Sequence, residues 1–269
     1  MKDPAAARAA FQSLHETGCF AIPNPWDVGS ALALQQLGFK ALASTSSGFA
    51  WTIGRADGQA PLDAVLTHLT ALCEAVDLPV NADFEGGFAV RPKDVAANVA
   101  RCVATGVAGL SIEDSTGDPA APLFDFVLAG ERIAAARAAI GASGVVLVGR
   151  SEGFIAGRPD LAETIRRLAA YAEAGADCLY APGLRTETEI AEVVQALAPK
   201  PVNVLAADIS LARLAELGVR RVSVGGALAR TAWGAFLAAA REIAQDGRFD
   251  VFAKAAPGRE LNAMFAGRS

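Results

Sequence analysis

Short apolar runs alternate with longer Ala/Leu-rich amphipathic runs along nearly all of this 269-residue chain. The apolar runs predict buried strands near 19–23, 40–44, 79–83, 108–112, 145–150, 177–181, 201–205 and 220–224. The amphipathic runs predict helices near 28–37, 62–76, 93–105, 130–140, 160–174, 187–197, 210–216 and 227–245. Eight β/α units of roughly 30 residues each are the pattern of a parallel sheet with crossover helices, and eight of them favour closure into an α/β (β/α)8 TIM-type barrel.

The punctuation agrees with that division. Gly38, Gly106, Gly175 and Gly218 each fall between a helix and the next strand, where a glycine ends a helix. Pro92, Pro159 and Asp208 precede helices, as first-turn prolines and acidic caps do, and Asp27 is placed to cap the first barrel helix. The barrel, with an N-terminal helix, is assigned to residues 1–247. Residues 248–269 contain Phe249, Phe252, Leu261, Met264 and Phe265, too apolar for a free tail. They are expected to pack on the barrel or on a neighbouring subunit.

Composition narrows the function. The chain is 52% hydrophobic with a net charge of −5, and no Lys/Arg cluster marks a nucleic-acid surface. No apolar run has the length of a membrane helix, and the N-terminus lacks the apolar core of a signal peptide. The four cysteines, Cys19, Cys73, Cys102 and Cys178, form no CxxC pair and no zinc spacing. A reducing cytoplasm with free thiols is the expectation.

The charge sits at strand ends. Three apolar runs stop in Asp83 and Glu85, in Glu113 and Asp114, and in Arg150, Ser151 and Glu152. In a parallel barrel all strand C-termini open on one face, so these groups converge there. Carboxylates gathered at one point repel unless a hard cation neutralises them, which makes Mg²⁺ (or Mn²⁺) the expected cofactor. Surface solvation is the plain alternative for Asp83, Glu85 and Glu113.

Other chemistry is removed by elimination. The lysines are Lys2, Lys40, Lys93, Lys200 and Lys254, and none ends a strand, so a Schiff base is not expected. His15 and His68 fall in helices and read as core or solvated residues. No cysteine is placed as a nucleophile. The second strand ends in Ser44-Thr45-Ser46-Ser47-Gly48, which reads equally as a self-bonded turn or as a nest of amides for a carboxylate. Gly225-Gly226 after the eighth strand reads as a phosphate site or a tight turn. Trp26, Phe49, Trp51 and Phe88 are candidate pocket walls.

At these segments the chain resembles the isocitrate lyase/phosphoenolpyruvate (PEP) mutase superfamily, from about Phe11 to Arg248. The resemblance rests on the Ser-rich strand end, Gly54-Arg55-Ala56-Asp57, Asp83-x-Glu85 with Gly87-Phe88, Ile112-Glu113-Asp114 and Arg150-Ser151-Glu152. It implies a barrel whose eighth helix swaps between subunits of a homodimer or homotetramer. It also implies Mg²⁺ and a small 2-oxo acid substrate or its enolate. By position, Asp83 resembles the direct metal ligand, with Glu85 and Glu113 holding the ion directly or through water. Asp57 resembles the residue that supports the site. Thr45, Ser46 and Ser47 match the segment that holds the substrate carboxylate, with Asn203 added from the seventh strand, and Arg150 matches the arginine that stabilises enolate charge. Catalysis is thereby assigned to Arg150, Asp57 and Glu113.

The departures shape the expected activity. The loop Ser115–Asp125 lacks the Lys-x-Cys-Gly-His segment of the superfamily's lyases and the Lys and Asn of its mutases. The expected function is a Mg²⁺-dependent carbon–carbon lyase on a small 2-oxo acid or related dicarboxylate, oxaloacetate-decarboxylase-like, through a metal-stabilised enolate. The proton for C3 would come from metal-bound water or Tyr180. Alternatives are a larger-substrate lyase with Asp118 as acid, a P–C bond enzyme of the phosphonopyruvate/PEP mutase type, and a non-catalytic 2-oxo acid binding protein.

Overall fold

A computed structural model gives the architecture and describes residues 3–266. Each apolar run forms a strand: β1 (Phe20–Ile22), β2 (Leu42–Ala43), β3 (Val80–Asp83), β4 (Gly109–Glu113), β5 (Val146–Arg150), β6 (Cys178–Tyr180), β7 (Val202–Leu205) and β8 (Arg221–Ser223). All ladders are parallel, in the order β1-β8-β7-β6-β5-β4-β3-β2. β1 and β2 form no ladder with each other, but the Ala43 amide donates to the Pro23 carbonyl at 3.1 Å, so the sheet is a nearly closed barrel.

Asn24 completes the closure. Its Nδ2 donates to the Ser44 carbonyl at 2.8 Å, and its Oδ1 accepts from the Val224 and Gly225 amides at 2.9 Å each. One buried amide thus joins the ends of β1, β2 and β8, where backbone groups would otherwise lack partners.

The helices are α1 (Pro4–Leu14), α2 (Val28–Gln36), α3 (Ser46–Thr52), α4 (Leu62–Ala75), α5 (Pro92–Ala104), α6 (Phe126–Ile140), α7 (Leu161–Glu173), α8 (Glu187–Leu197), α9 (Leu211–Glu216), α10 (Ala227–Asp246) and α11 (Gly258–Phe265). Phe11 of α1 is fully buried and packs with Ile22, Val146, Val148 and Cys178 in the barrel interior, closing its N-terminal end. Gly109 makes room for it, because a Cβ there would stand 2.6 Å from the Phe11 ring. A second, larger cluster fills the space between strands and helices, from Leu69 and Val99 through Leu147 and Leu179 to Val222.

Three expectations change. The Ser-rich end of β2 is the start of a helix, α3, with the Thr45 hydroxyl accepting from the Gly48 amide as its cap. α6 begins at Phe126 rather than near 130, because Asp125 accepts from the Val127 and Leu128 amides and starts it early. α9 is capped by Ser210, and Asp208 stays exposed outside it. Asp27 caps α2 as expected, in a reciprocal box with Ser30.

α10 departs from the barrel. Ala229 is its only buried residue, while Trp233, Phe236, Leu237 and Ile243 are exposed. Beyond it, a 3-10 turn (Asp250–Lys254) leads to α11, which returns to α2, where Gln36 Nε2 donates to the Met264 carbonyl. Residues 267–269 of the 248–269 extension, and residues 1–2 of the barrel assignment, lie outside the described residues.

Candidate active site

Register sets the site. β4 and β5 pair so that Glu113 lies beside Arg150, and β5 and β6 so that Arg150 lies beside Tyr180. Asp83 ends β3, on the other side of β4. The Arg150 guanidinium reaches three carboxylates: Nη1 is 3.2 Å from Asp83 Oδ1 and 3.4 Å from Glu113 Oε2, and Nε donates to Glu152 Oε1. Its face lies 5.2 Å from the Tyr180 ring centroid.

Asp83 has a further tie. Its Oδ2 accepts from the Ser46 amide at 2.9 Å, and its own amide donates to Ser44 Oγ at 2.9 Å. Asp57 lines the same cavity as Ser46. The Ser-rich segment therefore binds the acidic cluster from the α3 side. Thr45 is turned inward to cap α3 and meets Ser47 Oγ at 3.2 Å.

Crowding shifts the titrations. Burial pushes the Glu85 carboxyl up to about 7, helped by the charges of Asp83 and Asp57 and opposed by Arg150. Burial raises Glu113 well above the carboxylate range; Arg150 opposes this, and Glu152, Asp83 and Glu85 add to it. Asp57 and Glu152 are raised as well, burial leading in both. For Arg150, burial disfavours the charge, but Glu152, Glu113 and Asp83 outweigh it and its pKa is raised.

Above this cluster lies a cavity of about 530 Å³. Ser46, Asp57, Glu85, Glu113, Arg150 and Glu152 form its charged side. Phe88, Val90, Phe124 and Ile155 give an apolar side, and the loop residues Ser115, Thr116 and Gly117 lie along its edge. Among the described residues, no Lys, His or Cys lines it. The loop is held by its own bonds: Ser115 bridges Leu123, and the Thr116 amide donates to the Pro122 carbonyl at 3.0 Å. Asp118 is exposed and accepts from the Ala120 amide at 2.9 Å, which places its carboxylate in the loop's own turn, away from the cavity lining.

The donor set fits a hard divalent cation. It is all oxygen and anionic, and its carboxylates outnumber the two arginines, Arg150 and Arg132, that line the cavity. Among the described residues, no three donors are gathered tightly enough to hold an ion alone, since Arg150 is inserted between Asp83 and Glu113. Mg²⁺ does not need such a cage: it is bound through one or two carboxylates and keeps several waters.

Several sequence-predicted residues lie elsewhere. Asn203 is fully buried inside the barrel, accepting from Arg221 Nε at 2.8 Å and donating to Ser223 Oγ at 3.0 Å, so its amide is spent on interior partners. Tyr180 is buried at the end of β6, and burial pushes its phenol up to about 12. Trp26, Phe49 and Trp51 do not wall the cavity. Trp26 packs on Gly48, Phe49 stacks on His68 at 4.1 Å, and Trp51 lies against Gly226. Gly226 packs closely here, since a Cβ there would stand 2.7 Å from Ser47 Oγ and make that hydroxyl shift.

Other residues went unread. Glu152 stood in the arginine motif but was given no role of its own. Its strand position, two residues past β5, was the available signal. Asp114 is a buried hub: it accepts from Ser151 Oγ (3.2 Å), the Glu152 amide (2.8 Å), Tyr171 Oη (2.6 Å) and Arg167 Nη1 (3.3 Å). Arg132 and Phe124, from α6 and the loop before it, reach the cavity through tertiary packing that no local pattern carries.

The chain matches the family described as phosphoenolpyruvate phosphomutase over residues 11–244. It is similar to a solved structure from Burkholderia cenocepacia J2315, provisionally assigned as a lyase/mutase, with 46% identity, TM-score 0.95, and 99% and 98% of the two chains covered. It is 28% identical over 231 residues to the oxaloacetate decarboxylase of Paraburkholderia xenovorans (strain LB400), covering 80% of this chain and 74% of the relative. It also superposes on a phosphonopyruvate hydrolase solved with oxalate and Mg²⁺, with 26% identity, TM-score 0.83, and 98% and 95% covered. With its parallel barrel and acidic strand ends, the chain belongs to the PEP mutase family of the PEP mutase/isocitrate lyase superfamily.

Proposed function

We propose that this chain is a divalent-metal-dependent lyase that breaks a carbon–carbon bond in a small 2-oxo acid, in the manner of an oxaloacetate decarboxylase. The observation that carries the reading is Arg150 set among Asp83, Glu113 and Glu152 beneath a cavity that, among the described residues, no Lys, His or Cys lines. Such a site has charge for an enolate but, among the described residues, no amine, imidazole or thiol.

Asp83, Glu85 and Glu113 would hold Mg²⁺ or Mn²⁺, directly or through water. The bound ion supplies a Lewis acid toward the substrate's carboxylate and carbonyl oxygens. Ser46, at the cavity wall with Thr45 and Ser47 beside it, would meet the substrate carboxylate through its hydroxyl, its amide being held by Asp83. Asp57, with Ser46 in the cavity lining, would support the site. Arg150 faces the carbonyl oxygen, and its charge, fixed before the substrate arrives, favours the enolate over the ground state. Loss of CO₂ needs no acid for the breaking bond. Tyr180 is buried, its phenol pushed up to about 12, and it does not line the cavity, so the proton that C3 then requires would come from solvent in the cavity.

Two copies associate through α10, whose exposed Trp233, Phe236 and Leu237 recur at the spacing of one helix face. A homodimer, or a homotetramer built from it, buries that face. The four unpaired cysteines suit a reducing cytoplasm.

The test is ¹H NMR of the purified protein with Mg²⁺ and a panel of 2-oxo acids, oxaloacetate and phosphonopyruvate included, with and without EDTA. EDTA-sensitive release of pyruvate from oxaloacetate is the expected result. Turnover of phosphonopyruvate instead would move the assignment to P–C chemistry. Metal-dependent line broadening without any product would point to a binding protein.

A further inference from the structure

Arg132 of α6 is a buried guanidinium with, among the described residues, no carboxylate in hydrogen-bond contact. Its Nη2 donates to the Gly86 carbonyl and, at 3.1 Å, to the Ala89 carbonyl; its Nη1 donates to the Glu113 carbonyl at 3.4 Å. The guanidinium carbon lies 3.8 Å from the centroid of the Phe124 ring, at the end of the loop beside the cavity. Nε is buried without a partner. One side chain thus touches the segment after β3, the end of β4 and the loop before α6.

The segment after β3 needs holding. Glu85 and Phe88 both have positive φ, +46° and +56°, in a region that non-glycine residues rarely occupy. Such backbone persists only where surrounding contacts over-determine it. Here the contacts are Arg132 on the Gly86 and Ala89 carbonyls, Asn98 Nδ2 on the Gly87 carbonyl at 2.9 Å, and the Glu113 amide on the Glu85 carbonyl at 3.1 Å. Gly86 is fitted to the arginine, since a Cβ there would stand 3.0 Å from Arg132 Nη2.

We infer that Arg132 is a positioning residue that fixes Glu85 and Glu113 relative to each other, and to the Phe124 end of the cavity loop, so that both carboxylates can serve one divalent ion. The inference rests on the proposed metal role of Glu85 and Glu113. Arg132 acts through carbonyls and a ring, not on substrate. Losing it leaves those carbonyls without their donor and lets the strained segment relax.

Mn²⁺ binding, read from the EPR signal of free Mn²⁺, tests this on the full chain without any substrate. Arg132→Met should weaken Mn²⁺ binding about 10- to 100-fold, the usual effect of losing an outer-shell partner, with Arg132→Lys in between. Gly86→Ala, which crowds the guanidinium while keeping its charge, should weaken binding several-fold and serves if Arg132→Met fails to fold. The control is Arg137→Met on the same helix. Arg137 pairs with Asp177 at 3.2 Å and donates to the Val145 carbonyl at 3.1 Å, away from the cavity, so its loss should lower stability but leave Mn²⁺ affinity unchanged. Unchanged Mn²⁺ affinity in a folded Arg132 or Gly86 variant would overturn the inference, as would equal weakening by Arg137→Met. Wild-type protein that bound no Mn²⁺ would overturn the metal reading, and the inference with it.

Discussion

Arg150 and Asp83 meet at 3.2 Å across β4, joining the ends of β3 and β5, two strands that do not pair. If this contact organises the site, both partners are needed for turnover. Asp83→Ala should abolish metal-dependent consumption of the 2-oxo acid identified in the NMR panel. Arg150→Lys keeps a charge but loses the planar fork that serves three carboxylates, and should cost about 10²- to 10³-fold in kcat. Steady-state kinetics decides both, and an active Asp83→Ala would end the scheme.

The acidic cluster should be stabilised by the ion it is proposed to hold. A ligand present at about 100 times its Kd adds ~2.7 kcal/mol to the folded state. Thermal unfolding should therefore shift upward with millimolar Mg²⁺ or Mn²⁺ and return with EDTA, while matched ionic strength from Na⁺ gives no shift. Glu113→Gln should shrink the response. Equal responses to Mg²⁺ and Na⁺ would remove the metal site.

At the opposite end of the barrel, His15 sets an acid limit. Its Nδ1 lies 2.8 Å from the Phe11 carbonyl and so carries the proton, and its Nε2 faces Arg221 Nη1 at 3.5 Å. Burial and the charges of Arg221 and Arg220 depress its pKa from 6.5 to about 4. The folded pKa lies below the unfolded one, so the unfolded chain takes up the proton first. The stability this represents is whole above about pH 6.5 and is lost as pH falls toward 4, to a total of ~3 kcal/mol. His68, similarly depressed to about 4 by burial, acts in the same direction. Urea unfolding at pH 7, 5.5 and 4.5 should show a shallower loss in His15→Gln than in wild type. Parallel curves would mean that His15 does not titrate on unfolding.

The α10 face predicts an associating protein. Light scattering should give at least a dimer for wild type, and the double substitution Trp233→Glu, Phe236→Glu should yield monomers with the barrel intact by circular dichroism. A wild-type monomer at tens of micromolar would remove the proposed interface.

The barrel was readable because each strand is an apolar run bounded by turn residues, and because Gly38, Gly106, Gly175 and Gly218 all take the positive φ expected where a helix ends. Asp83, Glu85, Glu113 and Arg150 were readable for the same reason: a strand end has a fixed place in this topology. Asn203 shows the limit. It lies on a strand, yet facing the interior at the depth of Arg221 differs from facing the cavity, and one sequence does not separate the two. α3 was missed because a run of serines reads as a turn until tertiary contacts, here Ser46 with Asp83, make it a helix start. Arg132 was beyond reach for another reason. Its meaning lies in carbonyls 43 and 46 positions away, and carbonyls are anonymous in a sequence.

The grouping of Arg150 with Asp83, Glu113 and Glu152 has a consequence for descent. Four residues from three strand ends share one electrostatic cluster. Losing one carboxylate still leaves the arginine two anionic partners, whereas losing the arginine leaves three anions in mutual repulsion, so the arginine is the member least free to change alone. Lineages that abandon this chemistry should therefore change several of the four together, often with a new salt bridge or an apolar patch in their place. Lineages that only change substrate should keep all four and vary the cavity's apolar rim.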